Sequence, residues 1–222
     1  MLFVKQRAPN VNLILHCKKS IMNIKNLITA AMALLVSISC IGGAKNGNKM
    51  EQKGKALVVF FSHAGDNYSV GNIKVGNTKI VADYITELTG AEQFEIVTHK
   101  YDGMAYTPLI NLAKEEAKNG ELPEYEGDID LSQYDTIFIG GPVWWGTYPQ
   151  VMFTFFKKHA NDLNGKTVIP FTTHEGSGLA GCVQDVKKAF PGASVTKGFS
   201  IYGHEVRTGK AKVEKWLKGL GY

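Results

Sequence analysis

The residues whose types and spacing could do chemistry fall in three loops. In "GNTKIVADYI" (76 to 85), Gly76, Asn77 and Thr78 open a helix. A helix N-terminus offers unpaired N–H groups and a partial positive charge, and both suit a phosphate. Ser62, which closes the strand-like run "ALVVFFS" (56 to 62), can add a hydroxyl, as Asn77 and Thr78 add an amide and a hydroxyl. This first loop carries neither the P-loop Lys–Ser/Thr pair nor a GxGxxG run. Ser, Thr and Asn also cap helices for purely structural reasons. Between strand and helix lies "HAGDNYSVGNIKV" (63 to 75), too long for an ordinary strand-to-helix turn.

The second loop is "GGPVWWGTYP" (140 to 149), with Pro142, Val143, Trp144, Trp145 and Gly146. Two adjacent indoles set among glycines are poor core material and suit a flat aromatic ligand. The alternative is that one of them plugs the sheet end. The third loop, "THEGSGLAG" (173 to 181), runs through Thr173, His174, Glu175, Gly176, Ser177 and Gly178. Its glycines let backbone approach a ligand closely, and His174 is the candidate proton donor. The plainer alternative is a flexible loop whose histidine caps a strand. Cys182 has no nucleophile context and reads as core. The histidines at 63, 99, 159, 174 and 204 fall on different segments and suggest no metal cluster.

The elements that position these loops alternate. Strands are expected at 55–62, 92–98, 134–142, 166–174 and 193–203, and helices at 77–90, 107–120, 148–160, 181–190 and 209–220. Five β-α units argue for a parallel sheet with helices on both faces. In such sheets the ligand sits beyond the carboxyl ends of the strands, so the loops after Ser62, Gly140 and Thr173 are the ones to inspect.

Together, "FFSHAGDNY…GNTKIVA", "YDTIFIGGPVWWGTYP" and "IPFTTHEGSG" resemble the flavodoxins, in the branch with an extended first loop and a G-x-P-x-W-W-G pattern. The resemblance covers 55–222. It implies a three-layer α/β sandwich with a five-stranded parallel sheet of order 2-1-3-4-5, and FMN as cofactor. Its cofactor-binding set maps onto Ser62, His63, Gly76, Asn77, Thr78, Pro142, Val143, Trp144, Trp145, Gly146, Thr173, His174, Gly176, Ser177 and Gly178. It further implies that Trp145 lies against the flavin ring, and that the peptide after Gly146 can flip to accept from N5–H of the reduced ring. Two departures stand out. The detour 63–75 is absent from short flavodoxins, and Tyr68 within it is a candidate lid residue. Thr147 stands where many flavodoxins carry an acid.

The implied function is electron transfer through FMN, with donor and acceptor unidentified. The alternatives are an FMN-dependent reductase of small quinone-type acceptors, with His174 as proton donor, and a lipid-anchored binding module without redox work. The sequence offers no recognisable NAD(P)H site.

The chain has 222 residues and a net charge of +5. Five of its 25 basic residues lie in residues 1–40, which contain no acid; the other 20 face 20 acids. The remainder is therefore near neutral, which argues against a nucleic-acid partner. "MNIKNLITAAMALLVSISC" (22 to 40) has a lysine-bearing start and an apolar run from Leu27 to Ile38 that stops at Cys40. This is a secretory signal pattern, and the closing cysteine resembles a bacterial lipobox. Residues 1–40 thus read as a mis-called start (1–21) plus a signal peptide, with Cys40 lipidated. Cleavage near Ala44 is the alternative. Residues 41–54 read as a flexible tether. The expected location is a bacterial membrane, on the periplasmic or outer-membrane face.

Overall fold

A computed structural model describes residues 54–222. The signal pattern, Cys40 and the tether up to residue 53 lie outside the described residues.

The chain alternates as the sequence pattern requires. The strands are β1 (Ala56–Phe60), β2 (Gly65–Asn67), β3 (Gly71–Ile73), β4 (Glu92–Glu95), β5 (Thr136–Pro142), β6 (Thr167–His174), β7 (Ser194–Val195) and β8 (Phe199–Tyr202). The helices are α1 (Asn77–Thr89), α2 (Tyr106–Asn119), α3 (Gln150–Lys158), α4 (Cys182–Ala189) and α5 (Lys210–Gly219). The main sheet runs β4-β1-β5-β6-β7, every pairing is parallel, and β8 also pairs with β6. The expected order is therefore present, but its fifth strand is broken in two. The break lies opposite Pro170. The carbonyl of Val168 accepts from Thr196 N–H at 3.0 Å. Two residues on, Pro170 faces the same side and has no N–H to donate, so the ladder is interrupted there.

Strand side chains alternate between two cores. Leu57, Val59, Ile137, Ile139 and Val168 pack with Leu109 of α2, Val151 and Phe155 of α3, and Val186 of α4. Val58, Phe60, Phe138, Ile169 and Phe171 pack with Val81 and Ile85 of α1 and Val213 and Leu217 of α5. Both faces are covered, so the strands read as continuous apolar runs. The second strand ends at Glu95, earlier than expected; Val97 instead makes an isolated bridge to Glu126. Cys182 is fully buried, and burial pushes its thiol pKa up, so it is a core residue.

The detour 63–75 is an antiparallel hairpin, β2–β3, with Asp66 opposite Asn72. Its only buried hydrophobic residue is Ile73, and its tip carries Tyr68, 63% exposed. Tyr68 stacks on Tyr106 at the start of α2, with ring centroids 6.0 Å apart. The extra chain between β1 and α1 is thus a strap reaching toward α2.

Candidate functional site

A cavity of about 290 Å³ opens at the carboxyl ends of β1, β5 and β6. This is near the lower end of the range for small-molecule sites. Of the residues expected at the site, His63, Asn77, Thr78, Pro142, Val143, Trp144, Trp145, Thr173, His174 and Ser177 line it. Ser62, Gly76, Gly146, Gly176 and Gly178 do not.

One end of the cavity is polar. It is built where β1 meets the start of α1. A Cβ on Gly76 would lie 2.2 Å from Ser62 Oγ and 2.7 Å from the His63 carbonyl, so only glycine lets the two segments close up. That closeness lets Ser62 Oγ accept from Lys79 N–H at 3.0 Å. Ser62 is therefore a cap supplied from another element, and its hydroxyl hydrogen is not used by that bond. Thr78 is buried, and its Oγ1 lies 2.8 Å from Thr173 Oγ1. Two hydroxyls carry two hydrogens; one lies between them and the other remains for a ligand. Asn77 Oδ1 accepts from Arg207 Nη1 at 3.3 Å.

The other end is aromatic and apolar. Trp144 and Thr147 exchange backbone hydrogen bonds of 2.9 and 3.2 Å around Trp145 and Gly146. The φ values of +53° and +84° at these central residues match a type I′ turn. A bulky residue at positive φ is disfavoured. The turn holds Trp145 there, and its indole Nε1 donates to the Ile110 carbonyl at 2.8 Å. Lys114 Nζ lies 5.0 Å from the centroid of the indole ring system. The two indoles have different fates. Trp144 packs edge-on against Tyr101, Phe61 and His63, at 5.2, 5.6 and 5.8 Å, and plugs the sheet end. Trp145 stays 52% exposed, with its ring on the cavity wall.

Gly146 is held in its peptide orientation by its neighbours. Its carbonyl accepts from Gly181 N–H at 2.9 Å. Turning that peptide would break this bond and the one from Thr147 N–H. Thr147 itself donates through Oγ1 to Asp185 on α4. The acid missing after the W-G pair is thus present one layer out, where it fixes the loop.

The third loop is tied down by Thr172 Oγ1 donating to the Gly178 carbonyl at 2.9 Å. His174 Nδ1 accepts from Gly176 N–H at 2.9 Å, which places the neutral ring's proton on Nε2. Burial lowers the His174 pKa, against the opposing pull of Glu175 and Glu205. His63 is lowered too, first by burial, with Asp102 and Asp66 opposing. Its Nε2 is buried without a hydrogen-bond partner among the described residues.

The sequence reading missed one wall. Tyr106, Leu109, Ile110 and Ala113 of α2 face the cavity, as do Asp66, Asn67, Glu175 and Gly203. The α2 set recurs at i, i+3, i+4 and i+7, an apolar stripe that was readable beneath the helix's charges. A buried carboxylate anchors α2: Tyr101 Oη donates to Glu116 at 2.8 Å, and Lys100 Nζ lies 2.7 Å from its other oxygen. Two carboxylates reach the cavity. Glu175 pairs with His204 at 2.7 Å, and Asp66 accepts from Asn72 at 2.6 Å. No group of metal-ligating side chains is present among the described residues.

The residues fit a phosphorylated flavin. A free hydroxyl hydrogen, a helix mouth and a nearby guanidinium stand at one end, and an exposed indole with two tyrosines at the other.

Sequence comparison finds no curated relative. Solved structures of similar fold include a candidate flavoprotein from Bacteroides eggerthii, 24% identical with a TM-score of 0.59, covering 77% of this chain and 99% of that one. Another from Bacteroides uniformis is 27% identical, with a TM-score of 0.54 and coverage of 75% and 99%. A Lactobacillus acidophilus flavoprotein solved with FMN is 24% identical, with a TM-score of 0.52 and coverage of 70% and 97%. A family model described as flavodoxin matches residues 55–220, and with this fold and cavity the chain belongs to the flavodoxin family.

Proposed function

We propose that the protein binds FMN and works as a redox flavoprotein, carrying electrons in the flavodoxin manner. The observation that carries this reading is a single cavity with a hydroxyl-lined helix mouth at one end and the exposed face of Trp145 at the other. A protein of the same fold was solved with FMN, which supports the same ligand here. Bound FMN would supply the electron chemistry. The chain's own part is to hold and select it. Thr78 and Thr173 offer the remaining hydroxyl hydrogen to the phosphate end. Trp145 offers an aromatic face to the ring, and Trp144 keeps the floor in place from below.

One observation favours the second reading, a reductase of small quinone-type acceptors. The α2 wall and Tyr68 give the cavity an apolar side, and His174 on the same cavity carries an Nε2–H that can hydrogen-bond an oxygen of such an acceptor. The absorbance spectrum of the protein purified without its first 40 residues tests the FMN reading. A flavin spectrum is expected, and a colourless protein that takes up no added FMN would leave only a non-redox binding module. NADH or NADPH oxidation by the FMN-loaded protein, with a naphthoquinone as acceptor, separates reductase from carrier.

We also propose export and lipid anchoring at Cys40. A single acyl chain binds membranes marginally, whereas several anchor stably. Mass spectrometry of membrane fractions should find the mature chain starting at a lipidated Cys40; a soluble product starting near Lys45 would overturn this.

A further inference from the structure

The sequence has 23 lysines and two arginines, Arg7 and Arg207. Arg207 is the only arginine among the described residues; it is exposed and does not itself line the cavity, but its side chain reaches Asn77, which does. The turn Gly203–Thr208 brings it there. A Cβ on Gly203 would fall 2.3 Å from Asn77 Nδ2 and 2.8 Å from Glu175 Oε1, so the turn sits directly against the helix mouth. Tyr84 Oη donates to the Arg207 carbonyl at 3.3 Å and holds the segment on α1. The guanidinium then donates from Nη1 to Asn77 Oδ1 at 3.3 Å.

The charges at this end need such a group. A phosphomonoester brings between about −1.5 and −2. The helix mouth offers the equivalent of roughly half a positive charge. Against it stands Glu175, whose side chain is 12% exposed and lines the same cavity. Its two oxygens are occupied by His204, through the backbone N–H at 2.9 Å and Nδ1 at 2.7 Å, which hold the carboxylate in place. Lys79, in the first turn of α1, is turned onto Asp83, and no lysine lines the cavity. No carboxylate pairs with Arg207 among the described residues. A guanidinium has five N–H donors in a planar fork that matches phosphate oxygens, so one bond to Asn77 leaves donors for a ligand.

We propose that Arg207 is the phosphate-selecting residue of this cavity: carried on Asn77 at the mouth of α1, its guanidinium supplies the full positive charge that lets a flavin phosphate sit beside Glu175. The proposal rests on the FMN reading and names a residue for it beyond the hydroxyl and amide donors that the family resemblance implies. It also gives a reason for an arginine at this position in a lysine-rich chain, because a lysine presents its three donors from one nitrogen and lacks the planar fork that bonds Asn77 and a phosphate from separate nitrogens.

The test is a set of titrations of FMN and riboflavin, followed by flavin fluorescence, into the wild type, Arg207→Ala and Arg207→Lys. Arg207→Ala should weaken FMN by roughly ten- to a hundredfold and leave riboflavin unchanged. Arg207→Lys should recover part of the loss. Added salt should weaken FMN binding less in Arg207→Ala than in the wild type, because one screened charge is gone. Equal loss of both flavins would make Arg207 a structural residue and overturn the proposal. So would an unchanged FMN affinity in a wild type that discriminates the two flavins, and in that case the FMN reading would survive. A wild type that binds neither flavin would remove both.

Discussion

The two ends of the cavity are built by different means. At the polar end the side-chain oxygens are already engaged inside the protein: Ser62 by Lys79, Thr78 by Thr173, Asn77 by Arg207. At the aromatic end the rings come from three separate elements, and two of them, Tyr68 and Trp145, are 63% and 52% exposed. The first is a rigid cradle in which donor hydrogens of the threonine pair, Ser62 and Asn77, and one cation, remain to recognise a ligand. The second is a soft clamp that a ligand can order. Selectivity therefore belongs to the polar end, and much of the apolar contact area to the other.

The sharpest way to break this contrast is to spoil the cradle. Gly76→Ala places a methyl group against Ser62 Oγ and the His63 backbone. Overpacking of this kind costs about 1–3 kcal/mol. Here it should also part β1 from α1 and lower FMN affinity by more than any change at the aromatic end. Urea unfolding and flavin titration on the same variant measure both effects. An alanine that folds and binds normally would mean the cradle is not tight.

The tryptophans should divide next. Trp144→Ala removes a half-buried ring that packs on three aromatic neighbours, and should cost about 2–4 kcal/mol of stability. Trp145→Ala should leave stability almost unchanged and weaken FMN by about 5- to 150-fold, by analogy with bases stacked on aromatic side chains. Thermal unfolding beside flavin titration separates the two. The reverse pattern would exchange the roles assigned to the indoles.

Tyr68→Ala is a smaller change. It removes an exposed ring whose one aromatic partner is Tyr106. The expected cost is a few-fold in FMN affinity, or about 1 kcal/mol, with a faster dissociation rate by stopped flow. A rate equal to wild type would make the strap a surface excursion.

The smallest effect concerns pH. His63 and His174 are held neutral by burial, so their folded pKa values lie below the unfolded value near 6.5. Above that pH they add nothing to the pH dependence of stability. As pH falls below it, the unfolded chain takes up protons more readily and stability drops until the folded pKa values are passed. His99 is shifted the other way by Asp102 and Glu126, but it is exposed. His63→Gln should flatten the decline between pH 7 and pH 5 in chemical denaturation; an unaltered slope would contradict the assignment.

Much of the fold was legible because apolar runs and turn residues alternate so regularly. The break in the fifth strand was harder to see, since it depends on Pro170 facing that strand, and facing is a property of register. At the site, glycines and indoles marked the loops correctly, but their type did not reveal which would line the cavity. Gly76 and Ser62 are both at the site, yet one is there for lack of a Cβ and the other as a cap. Arg207 was invisible because it lies more than 120 residues along the chain from Asn77, brought there by a turn after the last strand. Trp144 and Trp145 were indistinguishable in sequence; a tight turn with positive φ sends one ring inward and the other onto the cavity wall.

The central claim is that the mouth of α1 holds a phosphate. Parallel equilibrium titrations of FMN and riboflavin into the wild-type protein test it most directly. Charge-assisted hydrogen bonds contribute about 1.5–3 kcal/mol each. Losing the bonds made by the hydroxyl pair and by Arg207 should therefore make riboflavin bind at least roughly a hundredfold more weakly than FMN. Equal affinity for the two flavins would contradict the account.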